Sequence, residues 1–444
     1  MIILKKILFR NFRWVYLVSG WLRQRLTPAG LLVLGAMTTG AVFGLDTRRT
    51  FAYQLFTLGL ALLLIGFLGN RFFRISLQIT RQMPRYGTVG ERLFYTLEIH
   101  NPTDKMQIGL QIRDEFQRHL PTFLEFNALS RQKRHHNRFD HYIGYPRWVM
   151  LAHKNRGGSN EWQDLPPLPA RSKIDVILSF KPLRRGYVDI SNVMIARPDP
   201  FGLCRAIRRL VSPAKVLILP ILYDIPLFNL AGSRKYQIGG VQWAMSVGDS
   251  GEFSALRDYR AGDSPRYIHW KSWAKRGKPI IKEFTDEFFV RHALILDTFA
   301  KPEQLERFET AVSIAASLVG NLTTQDTLLD LMLIGERSFC TTSGHGVGQA
   351  TTLLEILACV KPSSHTFDQL YPLVQQHAAA MSGCVCVLLD WDKERQDFVK
   401  WLQHLNLPFR ALIVGVSTPQ DYIYYPTCHF LSLTNLPQQL AILT

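Results

Sequence analysis

The spacing of apolar residues changes character along the chain. Ala29 to Leu45 and Phe51 to Gly69 hold no charged residue. Each comes close to the ~20 residues that cross a bilayer as a helix, the first only if its flanks join in. Between them stands Asp46-Thr47-Arg48-Arg49-Thr50, too short for a domain, so the two helices must run antiparallel. Residues 29–69 are therefore expected to form a transmembrane hairpin. In the preceding residues 1–28, cations are mixed with Trp14, Tyr16 and Trp21, the composition of an amphipathic helix lying in a membrane interface. Over residues 75–220 the pattern turns strand-like. Phe94 to His100, Ile108 to Arg113, Ile174 to Phe180 and Val188 to Ala196 are rich in β-branched or aromatic residues and bounded by Asn-Pro, Gly or Pro. Short strands with turns between them predict an immunoglobulin-like β-sandwich.

From Arg291 onward strands and helices alternate. Strands are expected at Arg291 to Asp297, Thr327 to Gly335, Cys384 to Asp390, Phe409 to Gly415 and Thr427 to Leu431. Helices are expected at Glu303 to Leu322, Gln349 to Val360, Phe367 to Met381 and Lys393 to Leu405. Apolar runs separated by amphipathic helices predict a mainly parallel sheet covered on both faces, which holds its ligands at the carboxyl ends of the strands. Asp297 and Asp390 stand at such ends.

Charge refines this outline. Lys and Arg number 52 against 35 Asp and Glu, a formal net charge of +17 over 444 residues, which favours anionic partners. The length suits two or three domains. Lys5, Lys6, Arg10, Arg13, Arg23 and Arg25 precede the first apolar run, and Arg71, Arg74, Arg81 and Arg85 follow the second, against Arg48 and Arg49 in the turn. The positive-inside rule then puts both ends of the hairpin, and the domains behind it, in the cytoplasm, with a bacterial inner membrane and its anionic lipids as partners. A cleaved signal peptide is the poorer reading, because the long apolar runs begin only at Ala29. Residues 127–161 gather Arg131, Lys133, Arg134, His135, His136, Arg138, His141, Arg147, Lys154 and Arg156 around Phe139, Tyr142, Tyr145 and Trp148. That stretch reads as a solvated, partly disordered insertion, or as a lipid-facing loop; nucleic acid is the less favoured partner. Among the cysteines, Cys204, Cys340, Cys359, Cys384, Cys386 and Cys428, none forms a CxxC pair. Cys384 and Cys386 look like alternate faces of a strand, and all six read as buried reduced thiols.

The densest motif lies in residues 240–286. It contains Gly251-Glu252-Phe253, Leu256-Arg257-Asp258-Tyr259, Gly262-Asp263 and Arg266-x-Ile268-x-Trp270-Lys271. Locally, Asp263 is expected to cap a short helix with Pro265 in its first turn, Gly277 to end that helix, and Ile280 to Phe284 to form a strand. This pattern, with Arg185-Gly186-Tyr187 and Asp199-Pro200-Phe201-Gly202-Leu203 upstream, resembles the signature of the bacterial domain of unknown function 58 family. The resemblance implies a von Willebrand factor A-like domain over residues 287–444, a doubly wound α/β sheet, and a MoxR-type AAA+ ATPase as partner. It implies no enzymatic activity.

The von Willebrand resemblance also implies a place for a metal ion, built on Asp-x-Ser-x-Ser, a distant Thr and a further Asp. Here the first element is Asp297-Thr298-Phe299-Ala300-Lys301, so Phe299 and Lys301 occupy both serine positions. Asp297, Thr351 (or Thr352) and Asp390 remain as vestigial candidates, with no metal or other cofactor expected. Instead, Asp297 is expected to cap its loop or to pair with Lys301. The sequence lacks Gly-x-Ser-x-Gly, a phosphate loop and His-Glu-x-x-His, and Gly344-His345-Gly346-Val347-Gly348 lacks the context of a dinucleotide site. The expectation is a non-catalytic interaction or assembly factor. The alternatives are a nucleic-acid or anionic-lipid binder acting through its basic loops, and a metal-dependent adhesion module. Whether the signature forms an ion-paired plug between domains or a docking face stays open at this level.

Overall fold

The computed structural model describes residues 2–43, 50–117, 119–123, 126, 144–226, 236–237, 252–260, 262–285, 288–322, 327–343, 347–405, 407–416 and 427–443. The chain divides into two compact units, residues 1–221 with 357–359, and residues 222–356 with 360–444.

The first unit begins with helices α1 (Ile2–Arg25), α2 (Pro28–Phe43) and α3 (Thr50–Arg71). Thr27 caps α2, its Oγ1 accepting from the Gly30 amide at 3.1 Å, with Pro28 pre-set for the first turn. Helices α2 and α3 lie antiparallel. A Cβ on Gly40 would stand 3.2 Å from Ala52 O, and one on Gly59 3.2 Å from Met37 Cβ, so these glycines permit the close approach. Within α3, Phe51–Arg71 is 21 residues long with mean hydropathy 2.0, enough to cross a bilayer by length and composition, whereas α2 is apolar but only 16 residues long. The expected turn lies outside the described residues.

Behind the helices come β1 (Gln78–Gln82), β2 (Tyr86–Thr88), β3 (Leu93–His100), β4 (Gln111–Phe116), α4 (Tyr145–Asn155), β5 (Gly158–Ser159), β6 (Gln163–Asp164), β7 (Lys173–Pro182), β8 (Gly186–Pro198) and β9 (Arg205–Leu219). They form two sheets, β1-β3-β7-β5 and β2-β9-β8-β4-β6. Alternate residues such as Leu97, Ile99, Ile112, Val176, Phe180, Ile195 and Ile218 share one core. The strand expected at Ile108 begins only at Gln111, because Gly109 adopts a left-handed φ of 65° that breaks extended pairing.

Three expectations change here. Arg81 is no membrane-flanking cation. It is buried beneath the sheet, bonded to Asp114 at 2.9 Å, while the Tyr95 hydroxyl donates to the same carboxylate. Burial pushes the Asp114 carboxyl up despite the opposing pull of Arg81. Next, the part of the basic insertion that is described, from Gly144, is no solvated loop. Within α4 Trp148 is fully buried, its ring 5.1 Å from Tyr16 and 6.4 Å from Phe9 of α1. Residues 127–143, with His135 and His136, lie outside the described residues. Finally, α1 does not give all its apolar surface to a membrane. Phe9, Phe12 and Tyr16, spaced along one helical face, pack on α4, while Trp14 and Trp21 remain exposed.

The phrase Asp199-Pro200-Phe201-Gly202-Leu203 joins the helices to the sandwich. Asp199 Oδ1 accepts from the amides of Leu203 (2.7 Å) and Cys204 (3.1 Å), shaping a tight turn. Thr27 then donates its hydroxyl to Gly202 O at 2.5 Å and its amide to Leu203 O at 3.0 Å. Gly30 and Gly66 close against this turn: a Cβ on the first would overlap Leu203 O, and one on the second would come within 2.5 Å of Asp199 Oδ2.

In the second unit, β10 (Tyr236–Gln237) is followed by β11 (Glu252–Asp258), α5 (Trp270–Arg276), β12 (Ile280–Thr285) and β13 (Phe288–Leu296). Then come α6 (Leu305–Leu322), β14 (Thr327–Ile334), β15 (Ser338–Ser343), α7 (Val347–Cys359), α8 (Leu370–Ala378), β16 (Gly383–Leu388), α9 (Lys393–His404), β17 (Phe409–Val414), β18 (Cys428–Leu431) and α10 (Leu436–Ala441). The main sheet runs β15-β14-β13-β16-β17-β18, with β10 paired to the start of β13. All its neighbours are parallel except β15 and β10. Every residue of β16 is buried, as both-faced cover requires. The expected elements appear with shifted ends, and Phe367–Gln369 forms a separate 3₁₀ turn before α8. Cys384 and Cys386 sit on one face rather than two, both buried in the core that also holds Cys428, because residues two apart in a strand point the same way. Not all the thiols are buried: Cys340 is half-buried and Cys359 exposed.

Candidate functional site

The signature folds as a small antiparallel ladder with its charged residues on the connection. β11 pairs with β12 from Glu252↔Thr285 to Asp258↔Ile280, with a bulge between Phe253 and Ala255. Ile280 and Ile281 are buried. Within the connection, His269 donates its amide to Ile280 O at 2.8 Å, and Gly277, at φ 69°, ends α5 by donating to Trp273 O. Asp263 does not cap the following turn. Its carboxylate accepts two bonds from Arg257, both 2.7 Å, and one from the Arg260 amide at 2.8 Å. These donors, Arg257 first, hold the carboxyl down at about 2. The forked guanidinium wins because it offers two parallel bonds and a charge, where a cap offers one neutral amide.

What remains on the outside is cationic and aromatic. Arg260, Arg266, Lys271, Lys275, Arg276 and Lys278 are exposed, as are Leu256, Asp258, Tyr259 and Gly262. Trp270 is 65% exposed and stacks on Trp273 with ring centroids 5.2 Å apart. Ile268 is half-buried and bridges to Ile281. Gly251 lies outside the described residues, and Glu252 and Phe253 are described by backbone only.

The carboxyl ends of β13 and β16 form the other candidate. In this sheet the chain order reverses between β13 and β16, which is where doubly wound sheets open a crevice. Here an arginine fills it. Arg395, from the first turn of α9, donates to Asp297 through Nε at 2.8 Å and Nη2 at 3.3 Å, and to Asp392 through Nη1 at 2.7 Å. Asp297 is completely buried, and its remaining partners are the amides of Phe299 and Leu389. Although burial alone would lower it, the two carboxylates keep the Arg395 guanidinium above its ordinary range. Phe299, in a serine position, packs on Phe367, over which Arg395 also lies at 4.9 Å. Lys301 is exposed and is not a partner of Asp297, correcting the expected pair. Asp390 accepts from Gln304 Nε2 at 2.7 Å and lies 3.6 Å from Arg307, and Thr351 is carried on α7, so neither joins Asp297. Among the described residues, no three His, Cys, Asp or Glu side chains gather as a metal site. Sequence reasoning missed Arg395; an arginine in the first turn of an amphipathic helix, where acids are favoured, was the available signal.

The fold and these sites define a protein of two units, a helix-bearing β-sandwich and an α/β sheet with an appended cationic hairpin. Residues 255–421 match the model of a family described as "Protein of unknown function DUF58", which supports the resemblance drawn from the signature. No curated protein matches the chain. Among solved structures, the CARDB domain of a Pyrococcus furiosus protein aligns at 10% identity and TM-score 0.18, covering 33% of this chain and 97% of that one. A Vibrio harveyi GH20 exo-β-N-acetylglucosaminidase in complex with N-acetylglucosamine aligns at 11% identity and TM-score 0.13, covering 76% of this chain and 57% of that one. Both scores are too low to bear on fold or function.

Proposed function

We propose that this protein is a membrane-anchored, non-catalytic interaction or assembly factor that docks a partner protein through the β11–α5–β12 element. One observation carries the reading: the stacked Trp270–Trp273 pair, with Trp270 largely exposed, lies on a connection bearing six exposed cations, Arg260, Arg266, Lys271, Lys275, Arg276 and Lys278. An exposed tryptophan stacked on a half-buried one and set among mainly cationic side chains is the composition of an interaction hot spot. The fitting partner has an acidic face with an apolar recess, and the family resemblance makes a MoxR-type AAA+ ATPase the first to try. The length and composition of α3, with apolar α2 beside it, support the anchor. Cations flanking the pair support cytoplasmic domains. The sheet order, with β13 between β14 and β16 and an antiparallel β15 edge, supports the von Willebrand factor A-like reading of residues 287–444.

The test is cross-linking mass spectrometry in native membranes with wild type, Arg266→Glu and Trp270→Ala. Both variants should keep the wild-type melting temperature and lose at least tenfold of the recovered partner. A fall in melting temperature with partner recovery retained would instead support the plug. Steeply salt-dependent binding of single-stranded nucleic acid, lost in the same variants, would favour the basic-loop alternative.

A further inference from the structure

Asp199-Pro200-Phe201-Gly202-Leu203, which has no part in partner docking, joins β8 to β9 where the sandwich meets the helices. Its contacts fix its level along them. On α2 they fall at the start, where Thr27 bonds to Gly202 O and Leu203 O and Gly30 lies against Leu203 O. On α3 they fall before the end, with Gly66 against Asp199 Oδ2. Gly66 precedes Arg71, the last residue of α3, by five residues, about 7.5 Å at 1.5 Å per residue. The turn therefore runs beside the segment long and apolar enough to cross a bilayer, rather than beyond its end. Past α3 the chain is pinned to the same hairpin, Arg208 Nε donating to Phe73 O at 2.9 Å.

Aromatic rings face outward at this level. Phe201, at the tip of the turn, is 54% exposed, Phe67 49%, Trp21 47%, and Phe72, just past α3, 83%. Arg25 lies 5.1 Å from the centre of the Trp21 ring and 5.9 Å from that of Phe67, and Arg71 is exposed. Rings and arginines mixed around the end of an apolar helix fit the boundary between headgroups and acyl chains, where rings reach hydrocarbon and guanidiniums reach phosphates. The acid of the turn does not oppose this. Asp199 Oδ1 holds two amides, and Oδ2 is buried against Gly66. We infer that the Asp199–Leu203 turn is a lipid-contact element, seated among phospholipid headgroups with the Phe201 ring at the acyl boundary, so that the sandwich rests on the bilayer. This rests on the membrane anchor of the proposed function and not on partner docking.

The full chain carrying Cys340→Ser and Cys359→Ser keeps only buried native thiols. It can be labelled with a nitrobenzoxadiazole maleimide at Phe201→Cys, Phe72→Cys, Leu58→Cys or Glu91→Cys. Leu58 is midway along α3; Glu91 is the remote control, in the β2–β3 turn whose Val89 bonds to Leu219 at the far end of β9. Liposomes of phosphatidylcholine and phosphatidylglycerol would carry a lipid nitroxide either high on the acyl chain or near its end. The shallow nitroxide should quench the Phe201 and Phe72 probes about twofold and the deep one distinctly less, the depth of an interfacial aromatic belt. The Leu58 probe should show the reverse order, and the Glu91 probe no quenching by either. A Phe201 probe as bright as that at Glu91, or quenched best by the deep nitroxide, overturns the inference while quenching at Leu58 leaves the anchor standing. An unquenched Leu58 probe removes the anchor and the inference together. Should Phe201→Cys misfold, an unquenched Phe72 probe beside a quenched Leu58 probe overturns the inference in its place.

Discussion

Replacing Arg395 with methionine removes the cation from the point where the strand order of the parallel sheet reverses and leaves Asp297 buried with its charge uncompensated. Breaking a buried pair from one side costs about 3–5 kcal/mol. Two features place this case near the lower end. The amides of Phe299 (3.0 Å) and Leu389 (3.1 Å) still bond the carboxylate, and the lost contact to Asp392 is partly exposed, worth no more than about 1 kcal/mol. A loss of about 3 kcal/mol corresponds to an acceleration of amide exchange on the order of a hundredfold. Hydrogen-exchange mass spectrometry of the full chain reads it locally, in peptides covering β16 (Gly383–Leu388), without requiring that the two units unfold together. The double variant Asp297→Asn/Arg395→Met, which removes the stranded charge and keeps one carbonyl acceptor for either the Phe299 or the Leu389 amide, should exchange more slowly than Arg395→Met alone. The reasoning fails if Arg395→Met stays within threefold of wild type, or if the double variant exchanges faster than the single.

The same geometry predicts that millimolar magnesium leaves the melting temperature of the wild-type chain unmoved, because a guanidinium occupies the place a cation would take; a reproducible rise of a degree or more by scanning fluorimetry would refute this. At the junction of helices and sandwich, Gly30→Ala drives a methyl into Leu203 O, whereas the same change at Gly35, which has nothing within 4 Å, should be neutral. Overpacking against backbone costs about 1–3 kcal/mol, so Gly30→Ala should lower the thermal midpoint in detergent and expose the Thr27 region to protease, and equal behaviour of the two variants would contradict the clamp. In the signature, the Asp263 carboxyl is held at about 2, below its ordinary 3.8. Its contribution is therefore complete above the ordinary value and disappears only as pH falls through about 2. The Arg260 amide should stay protected at pH 3.5 and lose protection in Asp263→Ala at neutral pH; loss in wild type by pH 4 would count against the pair.

The elements legible in the sequence are those whose burial follows a local period. Uncharged runs mark α2 and α3, and the apolar runs at β13, β14, β16 and β17 mark a sheet covered on both faces, because each residue's environment there is set by its own strand. The signature likewise announces its turn and its strand through Gly277 and Ile280. Elements that take their partner from far along the chain leave no such trace. The arginines of β9 and the polar run Ser338–Ser343 of β15 look like loops until a neighbouring strand pairs with them. Trp148 looks like part of a basic surface until α1 covers it. Asp297 and Arg395, 98 residues apart, meet only because the reversal of strand order brings the start of α9 beneath the end of β13, so the fate of the carboxylate belongs to topology. Local periodicity records which face of an element is buried; what is buried against it is decided by long-range pairing, and that is where tertiary structure takes over from sequence.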